Sequence, residues 1–154
     1  RELTKRMSAT VRHGTDLQSA GRLESLEKDM QRIAERILVK ISYEISTTGS
    51  HPLNKLKPRL KMDLLLFVKE CLTNIVKHSD ADKVKIDIIA SPKAVEVIVH
   101  DNGRGLPSNE APQIPPSLKR RARIMNASIS ISHSTEYATI IHLIRKRSLL
   151  TFWK

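Results

Sequence analysis

Apolar and polar positions alternate along this chain with two different periods. Residues 1–15 are polar and basic without a clear period. Across residues 15–38, Leu17, Leu23, Leu26, Met30, Ile33 and Ile37 recur at threes and fours with one longer gap, which predicts an amphipathic helix. Val39, Ile41, Tyr43 and Ile45 then alternate with polar residues, as in a half-buried strand. The stretch 47–52 reads as a loop. Over 61–78, Leu64, Leu65, Val68, Leu72, Ile75 and Val76 form the apolar stripe of a second helix, which 79–82 stops. Val84, Ile86 and Ile88 mark a strand over 83–90. After a tight turn at Ser91-Pro92-Lys93, residues 94–99 complete a hairpin ending at His100-Asp101. Residues 102–116 have no period and hold four of the seven prolines, so they read as a long functional loop. A short basic helix is predicted over 117–126, with Leu118, Ala122 and Met125 on its apolar face. A second hairpin follows, with strands at 128–132 and 137–144. The fold class is therefore α+β: a two-layer α/β sandwich with a mixed sheet of about five strands packed on three helices.

Composition narrows the function more than the fold. The 154 residues suit one domain with a helical appendage, and only 3% of them are aromatic, so the core must be built from Ile, Leu and Val. The single Cys71 cannot form an internal disulfide and gives no sign of an oxidising compartment. No apolar run approaches a membrane span and no signal peptide is visible, so the segment is expected to be cytoplasmic, without membrane contact of its own. A chain that starts at Arg1 is expected to be a piece of something longer, whose other parts could be membrane-anchored. The formal charge of +11 would suit nucleic acid, anionic lipid or a polyphosphate ligand. Aromatic residues do not interleave the basic ones and zinc spacings are absent, so a solvated surface is the expected reading and nucleic acid is not the expected partner. Binding through that surface would fall steeply with salt.

Chemistry concentrates in two blocks. Glu70, Asn74, Lys77 and His78 lie on one stripe of the 61–78 helix, opposite its apolar face. A carboxylate, an amide, an ammonium and an imidazole gathered there make a site for something charged and metal-bound, although a solvated helix face would show the same pattern. Some 23 residues later comes Asp101-Asn102-Gly103-Arg104-Gly105-Leu106, a glycine-hinged loop straight after a strand. Together the blocks point to a nucleotide pocket. His13, His51, His100, His133 and His142 show no acidic or metal-ligand spacing and read as surface or core histidines.

The two blocks resemble the N box (Glu70-x-x-x-Asn74-x-x-Lys77-His78) and the G1 box (Asp101-x-Gly103-x-Gly105) of the ATP-binding catalytic domain of sensor histidine kinases. That domain is one branch of the superfamily holding DNA gyrase, the mismatch-repair ATPases and the large heat-shock chaperone. The resemblance covers roughly residues 36–146 and implies a Bergerat-type ATP-binding fold, with ATP and Mg²⁺ as cofactors. It divides the chain into a 1–35 helical segment leading from a missing dimerisation region, the 36–146 catalytic domain and a 147–154 basic and aromatic tail. It implies that Asp101 accepts a hydrogen bond from the adenine amino group, that Gly103 and Gly105 let the backbone pass close to the base, and that Asn74 offers a neutral oxygen to Mg²⁺. Lys77 and His78 would contact phosphate or ribose. Glu70 would support catalysis: in the gyrase branch by activating water, in kinases by assisting phosphoryl transfer. Implied partners are a histidine-containing dimerisation domain in a homodimeric parent, and a response regulator.

Two departures qualify this reading. The family's lid carries G-x-G-L before the last helix and a glycine pair after it, yet no glycine lies beyond Gly105. An ungapped overlay places Pro112-Gln113-Ile114-Pro115 and Asn126-Ala127 at those positions, and proline has no N–H to donate. Lys119 and Arg121, beside the lid, are candidate phosphate clamps in place of the lost amides. The phosphoacceptor is also missing: Arg32-Ile33-Ala34-Glu35-Arg36-Ile37-Leu38 has leucine where the family has histidine, and lies too close to Glu70. Two functions stay open at this point, a catalytic domain or a degenerate module that binds a partner protein with weak or no nucleotide binding.

Overall fold

The computed structural model describes residues 17–49, 55–104 and 113–147, with side chains from Leu26 onward. Gly105, most of the 102–116 loop, residues 1–16 and the tail beyond Arg147 lie outside the described residues. The elements are α1 (Leu17–Ile37), β1 (Ser42–Thr48), α2 (Pro58–His78), β2 (Lys83–Ala90), β3 (Ala94–Asp101), α3 (Pro116–Ile124), β4 (Ser128–Ser132) and β5 (Thr139–Lys146). Five strands form one sheet in the order β1-β2-β3-β5-β4, with β1 and β2 parallel and the other neighbours antiparallel. The three helices and the mixed sheet are the expected sandwich.

One face of the sheet is apolar because alternate residues of each strand point the same way. Val84, Ile86 and Ile88 of β2, Val95, Val97 and Val99 of β3, and Ile141 and Leu143 of β5 are buried there. Against them α2 sets Leu60, Leu64, Phe67, Val68, Cys71, Leu72 and Ile75. Truncating a fully buried Leu64 or Leu72 to alanine would cost about 2–5 kcal/mol. Leu26, Met30 and Ala34 of α1 join the same core.

Four expectations need correction. The strand does not begin at Val39, which is 62% exposed. Leu38 is still in the core and donates its N–H to the Ala34 carbonyl at 2.7 Å, so the next residues are used in turning the chain. Pairing starts at Ser42 opposite Lys83 and runs on through Thr47 and Thr48, opposite Ile88 and Ile89 of β2, so these threonines belong to the strand. On α2, Val76 is half-exposed, because it lies about 100° round the helix from Ile75. Phe67 and Cys71 complete the buried stripe instead. The helix also starts a turn early, with Pro58 at its first position, where a missing N–H costs nothing.

Candidate nucleotide-binding site

A cavity of about 300 Å³ opens between the C-terminal half of α2, the end of β3, the start of α3 and the β4–β5 hairpin. Its walls are largely apolar, from Ile75, Val99, Leu118, Ile131 and Ile141. The polar groups are few: Asn74 and His78 from α2, Ser79 after it, Asp101 at the end of β3, Gln113 and Thr139. An apolar slot with few fixed polar groups suits a flat heteroaromatic ring better than a free ion.

Asp101 is the chemical centre of this slot. Strand alternation points it inward with Val97 and Val99, leaving it only 4% exposed. It lies between Val84 of β2 and Thr139 of β5 in the strand register. Burial raises its carboxyl above the usual range, opposed by the Gly103 N–H and the Ser79 hydroxyl that hydrogen-bond to it. The Gly103 N–H meets Oδ1 at 2.9 Å.

The loop after Asp101 is bolted to the end of α2. Arg104 donates its N–H to the Ser79 carbonyl at 2.6 Å, satisfying one of the helix's terminal acceptors. Asn102 Oδ1 accepts from the Asp82 and Lys83 N–H groups at 3.0 and 2.9 Å, and Arg104 pairs with Asp80 at 2.5 Å. Gly103 is needed here for a reason the sequence did not suggest. A Cβ on it would stand 2.2 Å from the Ser79 carbonyl oxygen, so the close approach is to the cap of α2.

Of the expected site residues, the structure brings Asn74, His78 and Asp101 to the cavity wall, with Gly103 one layer behind. Asn74 Nδ2 is buried without a hydrogen-bond partner among the described residues. Glu70 is half-buried and Lys77 exposed, and neither lines the cavity. Lys119 and Arg121 on α3 do not line it either. The α3 start lacks two donors, since Pro115 and Pro116 have no N–H, while Leu118 and Lys119 donate to the Pro115 carbonyl at 3.0 and 3.1 Å. The other overlaid glycine position is kept in shape: Asn126 adopts φ 56°, and the Asn126 and Ala127 N–H groups close on the Arg123 and Ala122 carbonyls, the left-handed helix cap that glycine usually makes.

Cys71, Ser79, Gln113 and Thr139 are cavity residues that the sequence reading passed over. Thr139 was within reach, because its alternation with Ile141 and Leu143 places it on the inner face. Cys71 sits on the buried face of α2, where burial and then the nearby Glu70 and Asp101 charges push its thiol far up, so it is an inert wall.

The chain has relatives among known proteins. The family described as histidine kinase-, DNA gyrase B-, and HSP90-like ATPase matches residues 60–142, more than half of the chain. The chain belongs to that family, and its domain is of the ATP-binding histidine kinase type. Among named relatives, the sensor protein NarQ homolog of Haemophilus influenzae is 23% identical over 129 residues, covering 81% of this chain and 23% of that protein. The sensor-type histidine kinase PrrB of Mycobacterium leprae is 26% identical over 120 residues, covering 63% and 27%. The chain thus spans about a quarter of the length of these curated relatives. Two solved structures share the fold. The ATP binding domain of PrrB from Mycobacterium tuberculosis superposes with a TM-score of 0.58 at 20% identity, over 80% of this chain and 91% of that one. The blue-light activated histidine kinase of Erythrobacter litoralis gives 0.56 at 18% identity, over 80% and 44%.

Proposed function

We propose that this chain is the ATP-binding catalytic domain of a sensor histidine kinase. It binds ATP with Mg²⁺ between α2 and the segment after β3, and directs the γ-phosphoryl group to a histidine on a dimerisation domain of a homodimeric parent. α1 leads from that domain, and an aspartate of a response regulator is the final acceptor. The observation that carries this reading is Asp101, a buried carboxylate at the end of an apolar slot sized for a nucleobase. Such burial costs stability, and a ligand amino group that donates to the carboxylate is a physical reason to keep it.

Each residue then has a task. Asp101 accepts from the adenine amino group, held in orientation by the Ser79 hydroxyl and the Gly103 N–H. The apolar walls stack and desolvate the base. Asn74 turns its buried, unpaired amide toward the phosphates, and His78 contacts ribose or phosphate at the mouth. Glu70 and Lys77 act from the rim on the transferring group. The donor set fits Mg²⁺ only as the ion of a nucleotide complex. Among the described residues no group of three His, Cys, Asp or Glu side chains could hold a metal ion, and one carboxamide beside phosphates and water is the pattern Mg²⁺ uses. When bound, the ion would neutralise charge on the phosphates. No helix among the described residues is long and apolar enough to cross a membrane.

The proline start of α3 favours a second reading, in which the pocket binds nucleotide weakly and the module acts through a partner. The deciding experiment uses the full-length parent with γ-labelled ATP and Mg²⁺. Acid-labile label on the parent, lost in Asn74→Ala, is the expected result. Weak or absent nucleotide binding without any labelled histidine would give the second reading the lead.

A further inference from the structure

The sheet has two edges, and they are defended differently. β1 carries Glu44 in mid-strand, whereas β4 is Ser128-Ile129-Ser130-Ile131-Ser132, paired on one side with β5 and, among the described residues, with no strand on the other. A strand edge presents a row of backbone donors and acceptors, and proteins usually blunt it with charge or proline. Here residues 124–135 are the longest stretch of the sequence without Asp, Glu, Lys or Arg. In a chain with 28% charged residues, the one open edge without a charged residue is therefore also its longest uncharged run.

We propose that β4 is a self-association edge, pairing antiparallel with β4 of a second copy about a two-fold axis through Ser130. The sequence is palindromic about that residue. Ser130 faces Ser130, Ile129 faces Ile131 and Ser128 faces Ser132, so a single surface is its own complement, as a two-fold interface requires. Directly opposed residues share a face in antiparallel pairs. The half-buried Ile129 and Ile131, which pack toward the core, would extend the apolar layer from one copy into the next, and the exposed serines would line the outer face. A one-residue slip sets serine against isoleucine and buries hydroxyls, so this register is favoured. An axis normal to the sheet also keeps the helices of both copies on the same side. Because Ile131 belongs to the cavity wall, the two nucleotide sites would flank the junction.

Electrostatics gives the association a sign. Each copy carries +11, and α3, which packs against β4, has Lys119, Arg120, Arg121 and Arg123 with no carboxylate. Repulsion between copies is screened beyond roughly 8 Å at physiological salt, while the edge itself has no charge to screen. Association should therefore strengthen with salt, opposite to binding through ion pairs or to nucleic acid.

The test is sedimentation of the whole chain from micromolar to near-millimolar concentration at low and high sodium chloride, with hydrogen exchange at the amides of β4. The expected result is a weak dimer whose affinity rises several-fold with salt, with protection at β4 that grows with chain concentration. Ser130→Lys sets two ammonium groups face to face and should weaken the dimer at least tenfold, whereas Ser130→Thr should keep it. Circular dichroism confirms that both variants are folded, since the side chain is exposed. A monomer at every concentration, or a dimer indifferent to Ser130→Lys, would overturn the proposal.

Discussion

The two sides of the cavity are built to different standards. On one side, α2 has 21 residues, seven of them buried, and its C-terminal turn is tied to β3 through Ser79, Asn102 and Arg104. Asp101 is held in this frame by the Gly103 N–H and the Ser79 hydroxyl, and Asn74 projects from the same helix. On the other side, α3 has nine residues, enters through two prolines and buries only Leu118 and Ala122. The first side can recognise a base because its groups are fixed before a ligand arrives. The second starts its helix without two backbone donors, because Pro115 and Pro116 have no N–H. The contrast is one of packing: the α2 side is fixed by burial and hydrogen bonds, the α3 side by few of either.

Substitutions can break this comparison, and the largest effects should fall on the fixed side. Asp101→Asn should lower ATP affinity by at least about 100-fold, because a site built around one acceptor rejects its mismatch strongly. The same change should stabilise the fold. The carboxyl value is raised in the folded state, so the folded chain holds its proton more tightly than the unfolded one. Burial of the charge is then unfavourable once pH exceeds the unfolded value of about 3.9. The melting temperature of Asp101→Asn should exceed wild type at pH 7–8, and the gain should vanish toward pH 4. Next, Asn74→Leu should lose about tenfold in affinity for ATP with Mg²⁺ but little for adenosine. By removing a buried unpaired donor it should also stabilise the ligand-free chain by up to about 1 kcal/mol in denaturant titration. Gly103→Ala pushes a methyl group into the Ser79 carbonyl and should cost about 1–3 kcal/mol, with weaker binding as Asp101 is displaced. The smallest effects belong to the adaptable side. If Lys119 and Arg121 act as clamps, each alanine variant should weaken ATP, and not adenosine, by about two- to fivefold at low salt. Unchanged ATP affinity would remove them from the site.

How much of this was legible in the sequence follows the same division. Helix and strand periods are direct records of burial, so α2, β2 and β3 were readable, and Asp101 stood out through the Asp101-x-Gly103-x-Gly105 pattern straight after a strand. The register of a loop against a helix end leaves no period. Ser79 and Asn102 looked like ordinary stop and turn residues, and Gly103 looked like space for a base when it also serves the cap of α2. Asn126 shows the reverse case, since the sequence marked a lost glycine where the backbone kept its left-handed turn. The partners of the histidines were out of reach of linear spacing: His100 meets Asp87 at 3.2 Å and His142 meets Glu96 at 2.7 Å, both across neighbouring strands. Val39 and Val76 were misplaced because a period predicts a face and cannot say where the turn or the packing partner ends.

Calorimetric titration with ATP, GTP and adenosine, with and without Mg²⁺, on wild type and Asp101→Asn tests the central claim most directly. Binding of ATP and adenosine should show clear preference over GTP and be abolished in Asp101→Asn, with a contribution from Mg²⁺ only when phosphates are present. Equal affinity for ATP and GTP, or binding that survives Asp101→Asn, would contradict that claim.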